Sequence, residues 1–293
     1  MNKISVIAGP ASLDLANNIA KRLQAELTVA SLRIFSDGES SIRLGKVHNK
    51  CIIVQSTYPP TDRHLIQLLM MVKRCTEDGA QDVCAVVPYL AYARQDRAFI
   101  EGEVVSIALV AKLFETMGVK HVVTVDIHSQ LAMSYFQSIQ NVSSVRLLAE
   151  YASNMKLRNP IAVSPDAGGT TRANEFGRHL DIEVISLKKS RHRVTGEVTI
   201  DDKIDEDIAD RDAILIDDII SSGGSIIKAA GVLRSLGVGK IYAMCAHALL
   251  IQGAAEKIKS AGVHDIISTN SVPGEYSKIE LSQEIVSALN ARY

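Results

Sequence analysis

A chain of 293 residues exceeds one ordinary compact core, so two lobes of similar size are expected. Its composition, 47% hydrophobic and 22% charged, excludes a disordered or fibrous protein. A formal net charge of -1 offers no global attraction to duplex nucleic acid or an anionic membrane, and 4% aromatic residues leave few platforms for stacking single strands.

In chain order, short β-branched runs alternate with longer amphipathic segments. The first set reads as strand Lys3–Ala8, helix Asp14–Glu26, strand Cys51–Thr57, helix Asp62–Glu77, strand Val83–Pro88, helix Val104–Met117 and strand His121–Asp126. The second reads as strand Ile161–Ser164, helix Thr171–His179, strand Ala213–Asp217, helix Gly224–Leu236, strand Lys240–His247 and helix Gly253–Ser260. Strands that are nearly continuous apolar runs, each followed by a helix-length segment, predict mostly parallel sheets covered on both faces, an α/β fold. The polar stretch Gln137–Ser144 separates the sets and divides the chain into 1–142 and 143–293. VVTVDIHS (122–129) and AILIDDIIS (213–221) each end an apolar strand on an acid, which hints that the lobes are related. No apolar run reaches the roughly 18 residues of a membrane span, and MNKISVIAGP has no signal-peptide pattern, so a cytoplasmic location is expected. Cys51, Cys75, Cys84 and Cys245 form no CxxC pair and read as buried thiols rather than as a zinc or disulfide framework.

The stretch ILIDDIISSGGSI (214–226) carries the most chemistry. In open parallel sheets ligands bind beyond the carboxyl ends of the strands, where Asp217 and Asp218 are expected. Ser221, Ser222, Gly223, Gly224 and Ser225 then lead into a helix, so backbone N–H groups and hydroxyls can surround a phosphate that the helix dipole favours. The two carboxylates can accept hydrogen bonds from vicinal sugar hydroxyls or hold a hydrated Mg²⁺. A sugar phosphate satisfies both halves. A Walker loop would need a lysine after Gly224 and a dinucleotide fingerprint would need GxGxxG, and the stretch has neither.

This stretch resembles the phosphoribosyl-diphosphate-binding motif shared by phosphoribosyltransferases and ribose-phosphate diphosphokinases. Four further segments, in the family's order, resemble the diphosphokinases: RIFSDGESSIRL (33–44), PYLAYARQDRAF (88–99), VDIHSQ (125–130) and SPDAGGTTRAN (164–174). The basic run SLKKSRHRVTGEV (186–198) is similar to the family's mobile catalytic loop, although it reads KKSR where many members read DKRR. The resemblance implies two phosphoribosyltransferase-like lobes, the first on the ATP side and the second on the ribose 5-phosphate side. It implies that Phe35 stacks on adenine and that Asp37 and Glu39 take hydrogen bonds around it from an adjacent subunit, in a homo-oligomer. Arg94, Gln95, Arg97 and His128 are implied as ATP contacts, and His128 and Asp166 as contacts to Mg²⁺. Asp166, Asp217, Asp218 and Ser221 to Ser225 are implied for ribose 5-phosphate, with Thr170 or Thr171 capping the helix that follows Asp166. Aligned on LxKxR, the catalytic lysine and arginine are Lys189 and Arg191, with Lys188 the adjacent alternative to the lysine.

The implied reaction moves the β,γ-diphosphoryl group of ATP to the anomeric hydroxyl of ribose 5-phosphate. A phosphoribosyltransferase would keep Asp217 and Asp218 but has no need of Phe35, Arg94 or Lys189. A non-catalytic regulatory homologue would be expected to interrupt the Lys189 segment, which here is continuous.

Overall fold

The computed structural model describes residues 3–187, 189–191, 198–200 and 208–291, with backbone alone at 189–191 and 198–200. The chain divides into two compact units, Met1–Ser143 with 270–273 and 280–293, and Ser144–Thr269 with 274–279. A strictly sequential division at 142/143 therefore differs at the C-terminus, where the last helix belongs with the N-terminal unit.

The first unit is built on β1 (Ile4–Ala8), β2 (Glu26–Val29), β5 (Lys50–Val54), β6 (Asp82–Val87), β7 (Val119–Val125) and β8 (Ile139–Val142), all parallel, in the order β2-β1-β5-β6-β7-β8. Its helices are α1 (Leu13–Leu23), α2 (Thr61–Glu77), α3 (Ser106–Met117), the single turn α4 (Gln130–Met133) and α9 (Ser282–Asn290). Ile52, Ile53 and Val54 are fully buried because helices cover both faces of their strand, which is why the run reads as continuously apolar. Leu65, Leu68, Leu69 and Val72 of α2 lie three to four residues apart and bury one stripe against this sheet. The chain leaves α3 at Gly118, whose φ of 98° suits glycine.

The second unit follows the same plan. Helix α5 (Val145–Ser153) precedes β9 (Ile161–Ser164), α6 (Thr170–Leu180) and β10 (Val184–Ser186). Then come β13 (Ala213–Ile220), α7 (Gly224–Ser235), β14 (Ile241–Ala248), α8 (Ala254–Ser260), β15 (Val263–Thr269) and β16 (Ser277–Ile279). The sheet order is β10-β9-β13-β14-β15-β16, again parallel. Each unit also carries one antiparallel ribbon between its second and third sheet strands in sequence. These are β3 (Ser31–Ile34) with β4 (Ser40–Arg43), and β11 (Lys189–Arg191) with β12 (Val198–Ile200).

The expected α/β fold with two mostly parallel sheets is what the chain adopts. All four cysteines are buried thiols. Two expectations need correction. Strand β13 does not stop at Asp217 but runs through both acids to Ile220, since β14 continues to pair with it up to Ala248. The proposed kinship of 122–129 with 213–221 matches the wrong strands: β7 is the fifth sheet strand of its unit in sequence and corresponds to β15, whereas β13 corresponds to β5. The dividing stretch Gln137–Ser144 contains β8, and the boundary between the units at 143/144 falls within it.

Candidate active site

The acid pair lies in the second half of β13, a strand flanked by β9 and β14. Asp218 is buried, and its backbone N–H donates to Asp217 Oδ1 at 2.9 Å. Arg172, on the first turn of α6, brings Nη1 to 3.7 Å from Asp218 Oδ1, with both side chains largely withdrawn from solvent. Burial, and then the hydrogen bond and charge of Asp218, push the Asp217 carboxyl well above the usual carboxylate range, while Arg172 pulls it down. Two crowded carboxylates at a strand end make a site to which a cation or several hydroxyl donors would be drawn.

Beyond β13, Ser221 to Gly223 turn into α7, which has no side-chain N-cap, so its first N–H groups have no partner within the helix. Gly223 has φ 80°, and a Cβ there would fall 2.8 Å from Ile258 Cδ1, so only glycine fits on both counts. Ser222 and Gly224 are exposed. The structure thus brings Asp217, Asp218 and Ser221 to Ser225 together on one strand end.

Asp166 follows β9, and its Oδ1 accepts from Gly168 N at 3.0 Å and Gly169 N at 3.2 Å. It caps the short turn before α6, a task expected of Thr170 or Thr171. Thr170 Oγ1 is engaged instead with Ala167 O and Ser186 Oγ, and α6 has no side-chain cap. Gly169 lies tight against the sheet, where a Cβ would come within 2.7 Å of Ser164 Oγ.

In the first unit, Arg94, Asp96, Arg97, Phe99, His128 and Ser129 line a cavity of about 280 Å³ between the segments that follow β6 and β7. Asp96 is buried and organises its rim. It accepts from Arg97 Nε at 3.0 Å, from Arg97 Nη2 at 3.2 Å and from Ser129 Oγ at 2.5 Å, and its backbone carbonyl accepts from Tyr135. The Arg97 and Ser129 hydrogen bonds hold its carboxyl down at about 2. Gln95 turns aside from the cavity. Its Nε2 donates to Glu103 Oε2 at 3.1 Å, and Glu103 also accepts from the backbone N–H groups of Phe99 and Ile100, which keep it ionised. A larger cavity of about 530 Å³ lies beside β4 and α2, but it is mostly apolar and contains none of the residues expected to bind ligand.

Phe35, Asp37 and Glu39 form the tip of the β3–β4 ribbon. Arg33 covers the Phe35 ring at 4.6 Å, and Asp37 Oδ1 accepts from Glu39 N at 3.1 Å. None of the three lines the Arg94 cavity. Lys189 and Arg191 fall on β11, which pairs antiparallel with β12. Their side chains, and Lys188, lie outside the described residues. His128 belongs to the first unit and Asp166 to the second, and among the described residues no three His, Cys, Asp or Glu side chains converge as a metal cage. Sequence reasoning missed Arg172 and Glu103 as organising charges. Both stand inside or beside segments already singled out, but Glu103 lies in an exposed stretch and Arg172 is only partly covered, so no burial signal marks them.

Residues 4–118 match the family model described as the N-terminal domain of ribose phosphate pyrophosphokinase, and residues 197–287 match the phosphoribosyl synthetase-associated domain. The ribose-phosphate pyrophosphokinase of Methanobrevibacter smithii is 34% identical over 97% of this chain and 99% of its own. That of Methanothermobacter thermautotrophicus is 36% identical over the same shares. The crystal structure of phosphoribosylpyrophosphate synthetase from Mycobacterium smegmatis superposes with a TM-score of 0.88 at 25% identity, covering 99% of this chain and 98% of that one. Two domain matches in order, relatives of one-third identity from end to end and a solved fold that follows the whole chain converge on one assignment: the chain belongs to the ribose-phosphate pyrophosphokinase family.

Proposed function

We propose that this protein transfers the β,γ-diphosphoryl group of ATP to the anomeric hydroxyl of ribose 5-phosphate, giving 5-phosphoribosyl 1-diphosphate and AMP for nucleotide biosynthesis in the cytoplasm. The observation that carries the reading is the Asp217–Asp218 pair beside Arg172, placed on the strand that feeds the Gly223–Gly224 loop. Ser221 to Ser225 hold the 5-phosphate, and the acids with Asp166 hold the ribose hydroxyls. Arg94, Gln95, Arg97 and His128 hold the nucleotide, so ATP belongs to residues 1–142 and the sugar phosphate to residues 143–293.

The sugar hydroxyl attacks the β-phosphorus in line, the new O–P bond forms as the bond from the β-phosphorus to the α–β bridging oxygen breaks, and AMP departs. Such a step asks for alignment and charge neutralisation, which Lys189 and Arg191 supply. The donor set fits Mg²⁺, because Asp166 and the acid pair offer hard carboxylate oxygens and His128 one further donor, and a hard ion bound through one or two carboxylates completes its shell with phosphate oxygens and water. When bound, Mg²⁺ supplies charge neutralisation on the phosphates. The exposed Ile34 and Phe35 at the ribbon tip, together with the absence of Phe35, Asp37 and Glu39 from the Arg94 cavity, support a homo-oligomer in which an adjacent subunit completes the adenine site.

Phosphorus NMR of the products formed from ATP, Mg²⁺ and ribose 5-phosphate tests the reading. AMP with a diphosphate on the sugar is expected. ADP would overturn attack at the β-phosphorus, and no turnover would favour a transferase or a regulatory homologue.

A further inference from the structure

We propose that the turn Leu249–Gly253 is a strained strap that holds the Ser221–Ser225 loop in its phosphate-receiving shape, making Leu250 and Gln252 positioning residues for ribose 5-phosphate. The inference rests on the proposed function and adds residues that neither contact the sugar nor belong to the loop.

Three consecutive N–H groups of the turn reach back to the start of the loop. Leu249 N and Leu250 N donate to Ile220 O at 2.9 and 3.1 Å, and Ile251 N donates to Ser221 O at 3.2 Å. The pairing of β13 with β14 is thereby carried past the end of the strands, to the residues where the chain must leave the sheet. The backbone enters the left-handed region at Leu250 (φ 46°, ψ 45°), between the second and third donors, and again at Gln252 (φ 56°, ψ 38°) and Gly253 (φ 71°, ψ 29°), where the strap turns into α8. Glycine adopts that region freely, whereas leucine and glutamine do so at a cost.

Gln252 is exposed, so burial does not impose its conformation, whereas Leu250 is partly covered and packs against the core of the second unit. Strain at such a turn is maintained by the hydrogen bonds and packing it permits, and it clusters where a ligand site must be preorganised. The other side of the loop is closed by α8, which starts directly after the strap and sets Ile258 against Gly223. Strap and helix together fix the carbonyls of Ile220 and Ser221, so the following N–H groups keep one direction. Preorganisation of this kind acts on binding of the phosphate before any chemistry begins.

Gln252→Val and Gln252→Gly separate this role from a general structural one, because the side chain is exposed and the two substitutions differ chiefly in backbone preference. A β-branched residue resists the left-handed region, and glycine accepts it. The Michaelis constant for ribose 5-phosphate is expected to be about tenfold higher in Gln252→Val than in Gln252→Gly, with kcat and the constant for ATP differing less than about twofold. Calorimetric titration with ribose 5-phosphate is expected to give the same ratio, and thermal melting verifies that both variants fold. Equal affinities in two folded variants, or parallel changes in kcat and both constants, would overturn the strap. Failure of the wild-type chain to bind ribose 5-phosphate would instead overturn the functional reading, and the strap's role with it.

Discussion

Replacing Arg172 by methionine removes the cation beside the acid pair while keeping most of the side chain's apolar volume. Unit charges 3.7 Å apart attract by about 4.5 kcal/mol at an effective dielectric constant of about 20. Part of that is offset by the desolvation of a guanidinium whose side chain is 19% exposed, which leaves about 3 kcal/mol, the usual cost of stranding one partner of a buried pair. The deficit depends on pH because Asp217 titrates above its usual range. A carboxyl whose folded-state proton affinity is raised favours the folded protein most below its unfolded pKa of about 3.9, and this contribution is lost as pH rises through the folded value. Loss of Arg172 raises that value further. Where the pair is ionised the variant carries two crowded carboxylates without their cation, and as pH falls a proton on Asp217 substitutes for it. Urea unfolding followed by circular dichroism is expected to show a midpoint lowered by up to about 1.5 M at pH 8 and by less at pH 5, taking a slope near 2 kcal/mol/M. Equal shifts at the two pH values would refute the electrostatic coupling and reduce Arg172 to a packing residue.

Gly223→Ala is expected to cost about 1–3 kcal/mol, since it meets both a left-handed φ and a methyl contact with Ile258, and to abolish ribose 5-phosphate binding by calorimetry. In the wild type a proton competes with Mg²⁺ at Asp217, so the Mg²⁺ concentration for half-maximal turnover should fall as pH rises; Asp217→Asn should flatten that trend, whatever its absolute rate. Lys189→Ala should lower kcat far more than it raises the Michaelis constant for ATP, and the reverse pattern would make Lys189 a simple binding residue.

The sequence made the strands of the two sheets legible where burial on both faces wrote continuous apolar runs, as at Ile52–Val54 and Ile214–Ile216. It hid the edges. Strand β2, with exposed ends and a half-covered middle, and the ribbon β3–β4, with Ser40 and Ser41 in place of apolar residues, carry no such signature. The extension of β13 through Asp217 and Asp218 was hidden for a different reason. Consecutive acids read as the end of a strand, and only pairing with β14, thirty residues later, keeps them in it. Motif spacing located the Gly223–Gly224 loop and the Arg94–Arg97 segment. It gave no sign that Gln95 is turned toward Glu103 or that Asp166 spends one oxygen on Gly168 and Gly169, because those partners are chosen by backbone direction rather than by sequence distance.

The correspondence of β5 with β13 explains how one duplicated plan supports two different sites. After β5 the chain reads Gln55, Ser56 and Thr57, all buried, and their polar atoms are engaged within the first unit. Gln55 Oε1 accepts from Ala11 N, Ser56 Oγ accepts from Tyr89 N and donates to Ser271 O, and Thr57 Oγ1 bridges Tyr89 O and Ala91 N. A loop whose donors are already used has little to offer a phosphate. In the second unit β13 itself carries the two acids, and small residues and an uncapped helix start follow it, with Ser222 and Gly224 exposed. The first unit opens its polar cavity two strand-ends further along, where Arg94 and Arg97 follow β6 and His128 follows β7. The two ribbons occupy the same place in the plan, and they carry the two other groups of expected ligand residues, Phe35 to Glu39 in one unit and Lys189 with Arg191 in the other. Divergence has thus worked at matching points of a common scaffold: the third strand end was closed in one unit and kept open in the other, while the ribbon was given an aromatic tip in the first unit and a basic run in the second.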